Sequence, residues 1–206
     1  MNKFSIGSFY SQKSVYQQVW EEYLHKSCKK FNLKTHIMSA PNYNSWHRNV
    51  AEKPRIIAEM LELFITNNNL LVFLDADATI EKYPKLFEEI PEEYDLGFHT
   101  LNWNDWYGHN DNPPKTEVLS GTMFFRNRKK VIDLCLEWAR LAKETKIWEQ
   151  KILEKIIDQF NLKYYPIPLN YCFINTRPGG KPPLVSDKDV VIRHHQVSRE
   201  LKKKRL

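Results

Sequence analysis

Asp75-Ala76-Asp77 directly follows Leu70–Leu74, the longest aliphatic and aromatic run in the chain. Two carboxylates this close at the end of a buried segment repel each other, and one takes up a proton unless a cation neutralises the pair. A hard divalent ion with oxygen ligands resolves the conflict. That points to Mg²⁺ or Mn²⁺, which commonly keep open positions for phosphate oxygens. The competing reading is that the two acids only start a turn or cap the next element, so the elements around them have to be weighed.

A uniformly apolar strand is what a central strand covered on both faces looks like. Ahead of it, Phe4–Tyr10 reads as a strand, and Ser14 opens a helix in the Ser-x-x-Gln form of a capping box with Gln17, burying Val15, Val19, Trp20, Tyr23, Leu24 and Cys28. Thr35–Met38 is a second strand and Pro41–Arg48 a polar and aromatic loop. Pro54 suits the first turn of a helix that buries Ile56, Ile57, Met60, Leu61 and Phe64 and is ended by Asn67, Asn68 and Asn69. Alternation of this kind predicts an α/β domain with a central, mainly parallel sheet flanked by helices, and ligands of such sheets bind outside the carboxyl ends of the strands. Asp95–Leu101 and Val118–Phe125 read as further strands joined by a long loop, Asn102–Pro114. Helices follow over Lys129–Lys143 and Ile147–Phe160, then short apolar segments at Tyr164–Ile174 and Val190–Ile192.

The 206 residues carry a formal charge of +6. Most of it sits at the end: Arg193, Arg199, Lys202, Lys203, Lys204 and Arg205 stand against the single acid Glu200, whereas the preceding residues are almost neutral. A hydrophobic content of 42% with 6 glycines excludes disordered and collagen-like chains. The apolar residues near the start, Phe4, Ile6 and Phe9, are too scattered for a signal peptide, and no run approaches the ~20 residues of a membrane span. Cys28, Cys135 and Cys172 are too few and too widely spaced for a disulfide framework or zinc knuckle. The expectation is a cytoplasmic protein, or one of the host cytoplasm if viral, with one domain over residues 1–195 and a basic tail over 196–206.

Phe73-Leu74-Asp75-Ala76-Asp77, Ser120-Gly121, Trp148-Glu149-Gln150 and Ile192-Arg193-His194-His195, in this order and on these elements, resemble the nucleotide-diphospho-sugar glycosyltransferases of the GT-A (Rossmann-like) fold over nearly the whole chain. The resemblance implies that Asp77 is the firmer metal ligand and that Asp75 reaches ribose or sugar as well as metal. It also implies that a histidine after the last strand completes the shell, which tilts the ion toward Mn²⁺. His194 and His195 point to opposite sides of an extended segment, so one of them serves; His194 is the choice. Ser120-Gly121 resembles the small-residue turn against which the donor sugar packs, and Glu149-Gln150 the dipeptide that faces the transferred sugar. Glu149 is thus the candidate general base, although relatives more often carry Asp-Gln or Glu-Asp there, and Gln150 a donor contact. Lys53, helped by Arg48, resembles the basic residue that meets the donor diphosphate, and Tyr10 stands where nucleobase and ribose lie.

Trp103, Trp106, Tyr107 and His109 in the long loop form a candidate acceptor platform, because aromatic rings stack on sugars and bases alike. The expected reaction is sugar transfer from a nucleotide-diphosphate sugar, in the first instance a UDP-sugar, to an acceptor hydroxyl, with inversion and retention both open. The acceptor is either a glycan or lipid-linked saccharide, with the tail resting on an anionic membrane surface, or a hydroxylated base in DNA held through the tail. The rivals are a nucleotidyltransferase, for which Gly7–Lys13 is a poor phosphate loop, and a non-catalytic nucleic-acid-binding module, which leaves the paired aspartates unexplained.

Overall fold

A computed structural model describes residues 3–66 and 69–199. The strands are β1 (Phe4–Ser11), β2 (Thr35–Ala40), β3 (Leu70–Leu74), β4 (Ala78–Ile80), β5 (Leu96–Asn102), β6 (Thr116–Arg126), β7 (Tyr164–Pro166), β8 (Phe173–Ile174) and β9 (Ile192–His194). The helices are α1 (Val15–Trp20), α2 (Lys26–Lys30), α3 (Trp46–Val50), α4 (Lys53–Phe64), α5 (Leu86–Glu89), α6 (Trp103–Tyr107), α7 (Lys129–Glu144) and α8 (Glu149–Ile156). The central sheet has the order β2-β1-β3-β6-β5-β7, and a small sheet has the order β4-β9-β8.

Strands β2, β1, β3, β5 and β7 run one way, and β6 runs against both of its neighbours. The sheet is therefore mixed but mainly parallel, as the sequence implies. The apolar run in β3 has its predicted cause. Leu71 and Phe73 pack with Ile56, Met60, Leu61, Trp138 and Leu153 on the side of α4, α7 and α8. Leu70, Val72 and Leu74 pack with Phe4, Leu24, Phe87, Phe124 and Ile192 on the other side. Each fully buried aliphatic or aromatic side chain contributes about 2 kcal/mol here.

Local details depart from the expected pattern. Ser14 Oγ accepts from Tyr16 N, but Gln17 bonds to Glu21 one turn on instead of closing a capping box. Between α1 and α2 the helix widens into a π turn over Glu21–His25. Helix α4 ends at Phe64; of the asparagines expected to end it, Asn67 and Asn68 lie outside the described residues. The long loop holds α6, capped by Asn102, whose Oδ1 accepts from Asn104 N at 2.8 Å. The expected helix to Phe160 is α8 followed by a 3-10 turn, and Tyr164–Ile174 divides into β7, a 3-10 turn and β8. Cys28, Cys135 and Cys172 are buried as free thiols.

Candidate active site

At the carboxyl end of β3 the backbone turns sharply. Asp75 N donates to Gly121 O at 3.0 Å, and Ala78 N to Asp75 O at 2.9 Å. The turn delivers Asp77 next to β9, because Ala78 pairs with His194 across the small sheet. One ligand atom from each of Asp75, Asp77 and His194 then falls within 4.8 Å of the others, a group that could hold a metal ion. His194 is oriented by Thr122, whose Oγ1 lies 2.8 Å from Nε2, leaving Nδ1 on the side of Gly121 and Asp75. With Nε2–H donating to the hydroxyl, Nδ1 keeps a lone pair for a cation. His195 is turned the other way: its Nε2 is 2.9 Å from Thr79 Oγ1 and its ring packs on Tyr23.

Burial raises the pKa of Asp77 and neighbouring Asp75 raises it further, against the pull of His194 and the N–H of Val197. That N–H donates to Asp77 Oδ2 at 2.9 Å. Burial likewise lowers the pKa of His194, although Asp75 and Asp77 act to raise it. A neutral imidazole beside two crowded carboxylates is a donor set that fits a divalent cation.

Lys53, in the first turn of α4, reaches the same point from below the sheet's end. Its Nζ lies 2.9 Å from Asp75 Oδ1, 3.2 Å from Glu149 Oε1 and 3.1 Å from Ser120 Oγ. Burial opposes its charge, but Asp75 and Glu149 outweigh that, and its pKa is raised. Ser120 Oγ donates to Glu149 Oε1 at 3.0 Å, Ser120 N donates to Gln150 Oε1 at 3.0 Å, and Gln150 Nε2 donates to Glu117 Oε1 at 2.8 Å. Glu149 Oε2 is buried with no hydrogen-bond partner among the described residues. The site thus sets three acids, Asp75, Asp77 and Glu149, around one ammonium, Lys53.

A bulge creates this geometry. Along β5 the pairing jumps from Phe98↔Met123 to His99↔Leu119, so Ser120, Gly121 and Thr122 have no partner on that strand. Bulges re-aim side chains in this way, here Ser120 toward Lys53 and Thr122 toward His194. A Cβ on Gly121 would sit 3.0 Å from His194 Cε1 and 3.4 Å from Asp75 Oδ2, which is why the position is a glycine.

These groups line one cleft of about 1130 Å³. Tyr10, Lys53, Asp75, Asp77, Ser120, Gly121, Glu149, Gln150 and His194 all face it, as do Trp106 and Tyr107. Tyr10 packs against Trp20 at 5.9 Å. Arg48 does not line the cleft: it is exposed, with its guanidinium 4.6 Å over the ring of Tyr43, and the structure gives it no place beside Lys53. Of the four aromatic residues of the long loop, Trp103, Tyr107 and His109 pack on one another at 5.2–5.9 Å, while Trp106 and Tyr107 line the cleft. Trp103 donates to Glu117 Oε2 at 3.2 Å and His109 stacks on Tyr107, neither lining the cleft, while Trp106 is 5% exposed in a small core with Leu101, Leu119 and Cys172. Thr122, Glu117 and Trp46 also reach the site or its cleft without having been singled out in the sequence, and Trp148 was singled out there only as the residue ahead of Glu149-Gln150. The first could have been found as the residue two after Ser120, on the same face of an extended strand. The residues 202–206 of the basic tail lie outside the described residues, whereas Ser198 and Arg199 line the cleft.

The sequence matches the family model for nucleotide-diphospho-sugar transferases over residues 12–205. No curated protein sequence matches the chain. Among solved structures, a glycosyltransferase involved in glycosylation of the major capsid of PBCV-1 superposes with a TM-score of 0.69 at 16% identity, covering 98% of each chain. The glycosyltransferase GlyE of Streptococcus pneumoniae gives 0.58 at 12% identity, covering 94% of this chain and 54% of that one. Mouse xyloside xylosyltransferase 1 gives 0.55 at 10% identity, covering 95% and 98%. At these identities the likeness shows the fold, which is of the GT-A type.

Proposed function

The chain belongs to the nucleotide-diphospho-sugar transferase family and is a glycosyltransferase with a nucleotide-sugar donor, and from that premise we propose that the cluster at the end of β3 is its donor and transfer site. The observation that carries this reading is the grouping of Asp75 and Asp77 with an oriented neutral histidine, one ligand atom of each within 4.8 Å of the others, inside the large cleft. Asp75, Asp77 and His194 would hold Mn²⁺ or Mg²⁺. Such an ion, when bound, neutralises the donor diphosphate and acts as a Lewis acid on its leaving oxygen.

The protein's own groups do the rest. Val197 N–H fixes Asp77, and Thr122 fixes His194. Lys53 bridges Asp75 and Glu149, so it works by holding the two side chains in place and not by reaching the diphosphate directly. Tyr10 offers its ring to the nucleobase at the end of β1. The donor sugar packs on the bare backbone of Gly121, with Ser120 and Gln150 held beside it. Glu149 Oε2, which has no hydrogen-bond partner among the described residues, is the atom to take the proton of an acceptor hydroxyl. Inversion requires that step and retention does not, so the anomeric configuration of the product, read by NMR, assigns or removes the role.

The acceptor is a saccharide hydroxyl in this reading; transfer to DNA would draw on the tail residues 202–205, which lie outside the described residues. Among the described residues no helix is long and apolar enough to cross a membrane. Incubation with Mn²⁺ and a panel of UDP-, GDP- and other nucleotide sugars is expected to release nucleoside diphosphate from one of them. Absence of both turnover and a thermal shift with every donor would overturn the assignment of this site.

A further inference from the structure

Two indole rings on the cleft wall take no part in the donor site. Trp46 opens α3 and Trp148 immediately precedes α8. Their centroids lie 5.7 Å apart at 56°, and both rings are half-buried and line the cleft. Large apolar faces partly open to a cleft mark a place where something else packs.

Both rings are held firmly. On the Trp46 side, Asn42 Oδ1 accepts from Asn44 N at 3.0 Å and from Asn49 Nδ2 at 3.1 Å, and Asn49 Oδ1 accepts from Tyr43 N at 2.8 Å. Ser45 Oγ accepts from Arg48 N at the start of α3, so the loop is clamped around the indole it presents. On the other side, Trp148 is one peptide bond from Glu149, whose carbonyl accepts from the buried Trp138 Nε1 at 2.7 Å. Preorganised aromatic faces of this kind bind with little loss of conformational entropy.

Position identifies the ligand. Taken contact by contact, the site runs from His194 and Asp77 to Asp75, then Lys53, then Glu149, and from Glu149 along the chain to Trp148 and across to Trp46. The indole pair is therefore separated from the metal-binding acids by Lys53 and lies beside Glu149, the group that meets the acceptor hydroxyl in the reading above. The wall around it consists of Asn42, Asn44, Ser45 and Asn49, neutral hydrogen-bonding side chains that suit sugar hydroxyls. A nucleic-acid subsite would instead present Lys or Arg to phosphates; Arg48 of this loop is stacked on Tyr43, and the cleft's Lys13 and Arg199 belong to other segments than the loop that carries Trp46. We propose that Trp46 and Trp148 form the acceptor subsite, and that the acceptor ends in a pyranose whose C–H face packs on these indoles. This rests on the donor site being in the same cleft.

The test is saturation-transfer NMR on the full chain with Mn²⁺ and UDP, using methyl glucosides, galactosides, mannosides and xylosides as probes and a thymidine hexanucleotide as the rival. The expected result is glycoside binding by the wild type, weakened about tenfold in Trp46→Ala and in Trp148→Ala and partly kept in Trp46→Phe and Trp148→Phe. UDP affinity by calorimetry should stay within about twofold in all four, which also shows that they are folded. Glycoside signals indifferent to the substitutions overturn the proposal, as does a wild type that binds UDP but no glycoside, or a tryptophan-dependent signal from the oligonucleotide alone. A wild type that binds no nucleoside diphosphate overturns the donor reading itself, a result distinct from a normal UDP isotherm with tryptophan-independent glycosides.

Discussion

Two ionic clusters sit at opposite ends of the central sheet, one wholly buried around its carboxylate and one open to the cleft. Asp75 leaves the carboxyl end of β3, and Asp95 precedes the amino end of β5, which runs parallel to it. The Asp95 carboxylate is wholly buried, and both oxygens are answered: Oδ1 by Arg128 Nη1 at 2.5 Å, Oδ2 by Lys130 Nζ at 2.6 Å and Lys163 N at 2.8 Å. Nearby Arg126 gives its guanidinium to the carbonyls of Ile90, Pro91 and Tyr94. At the other end Asp75 and Glu149 share one lysine, Asp77 is answered by a backbone N–H, and Glu149 Oε2 has no partner among the described residues. The residue types are the same, but one cluster is complete and the other is short of positive charge. A satisfied buried charge holds a chain crossing together; an unsatisfied one is kept because a ligand completes it.

The comparison breaks most sharply at Asp77. Asp77→Asn removes a metal ligand, and transfer should fall about a thousandfold, the order of several kcal/mol of lost charge stabilisation. It also relieves crowding among carboxylates, so the metal-free protein should melt higher than wild type. Mn²⁺ should raise the melting temperature of the wild type by mass action and leave that of Asp77→Asn unmoved. A variant that still gained stability from Mn²⁺ would place the ion elsewhere.

Lys53 is where the open cluster is structural as well. Lys53→Met leaves the buried Glu149 without its cation, while Asp75 is half-exposed and can be answered by solvent; breaking the one buried pair costs about 3 kcal/mol. Chemical denaturation should show that loss. Added Mn²⁺ should recover part of it, since a divalent ion can stand in for some of the missing charge; no recovery would mean that Lys53, and not the metal, neutralises this end of the sheet.

Asp95 should behave in the opposite sense. Asp95→Asn is expected to cost about 2 kcal/mol, the range for hydrogen bonds to a charged group, while folded molecules keep wild-type turnover and the full response to Mn²⁺. Burial works to raise the Asp95 pKa, but Lys130, Lys163 N–H and Arg128 together lower it below the ordinary carboxylate value. A carboxyl depressed in the folded state stabilises above its unfolded pKa of about 3.9 and loses that contribution as pH falls through the folded value. Acid titration of unfolding free energy should therefore show a loss below about pH 4 that is shallower in Asp95→Asn.

Much of this contrast was legible in the sequence where a residue's role depends on its own element. The apolar run of β3 announced a doubly covered strand, and that strand fixed where Asp75 and Asp77 had to stand. His194 and His195 divided between two sides because an extended segment alternates. What escaped notice depends on distant neighbours. The reversal of β6 is a matter of connection, invisible in Val118–Phe125, and the bulge that aims Ser120 and Thr122 exists only through the jump in pairing with β5. Arg48 was read as a donor contact because it is basic and close to Lys53 in the chain, yet Tyr43, five residues earlier, claims its guanidinium. Trp46 lies in the Pro41–Arg48 loop and Trp148 in the Trp148-Glu149-Gln150 motif, about a hundred residues apart, and only the fold brings their rings together.

The smallest change tests how tightly the open cluster is built. A methyl on Gly121 would meet His194 Cε1 at 3.0 Å and Asp75 Oδ2 at 3.4 Å, so one of them must yield by a few tenths of an ångström. The contact is with Cε1 and Nδ1 of a buried histidine whose far nitrogen is tied to Thr122, which leaves it little room to retreat. Gly121→Ala should thus leave global stability within about 1 kcal/mol and weaken Mn²⁺ binding about tenfold, within the range seen when the support of a metal ligand is disturbed. Calorimetry with Mn²⁺ measures the second quantity without any need for the acceptor. Pairing the substitution with Thr122→Val separates the causes: if the methyl acts by displacing His194, freeing the ring from Thr122 makes the two effects less than additive. Full additivity would instead put the methyl's effect on Asp75 or on the donor.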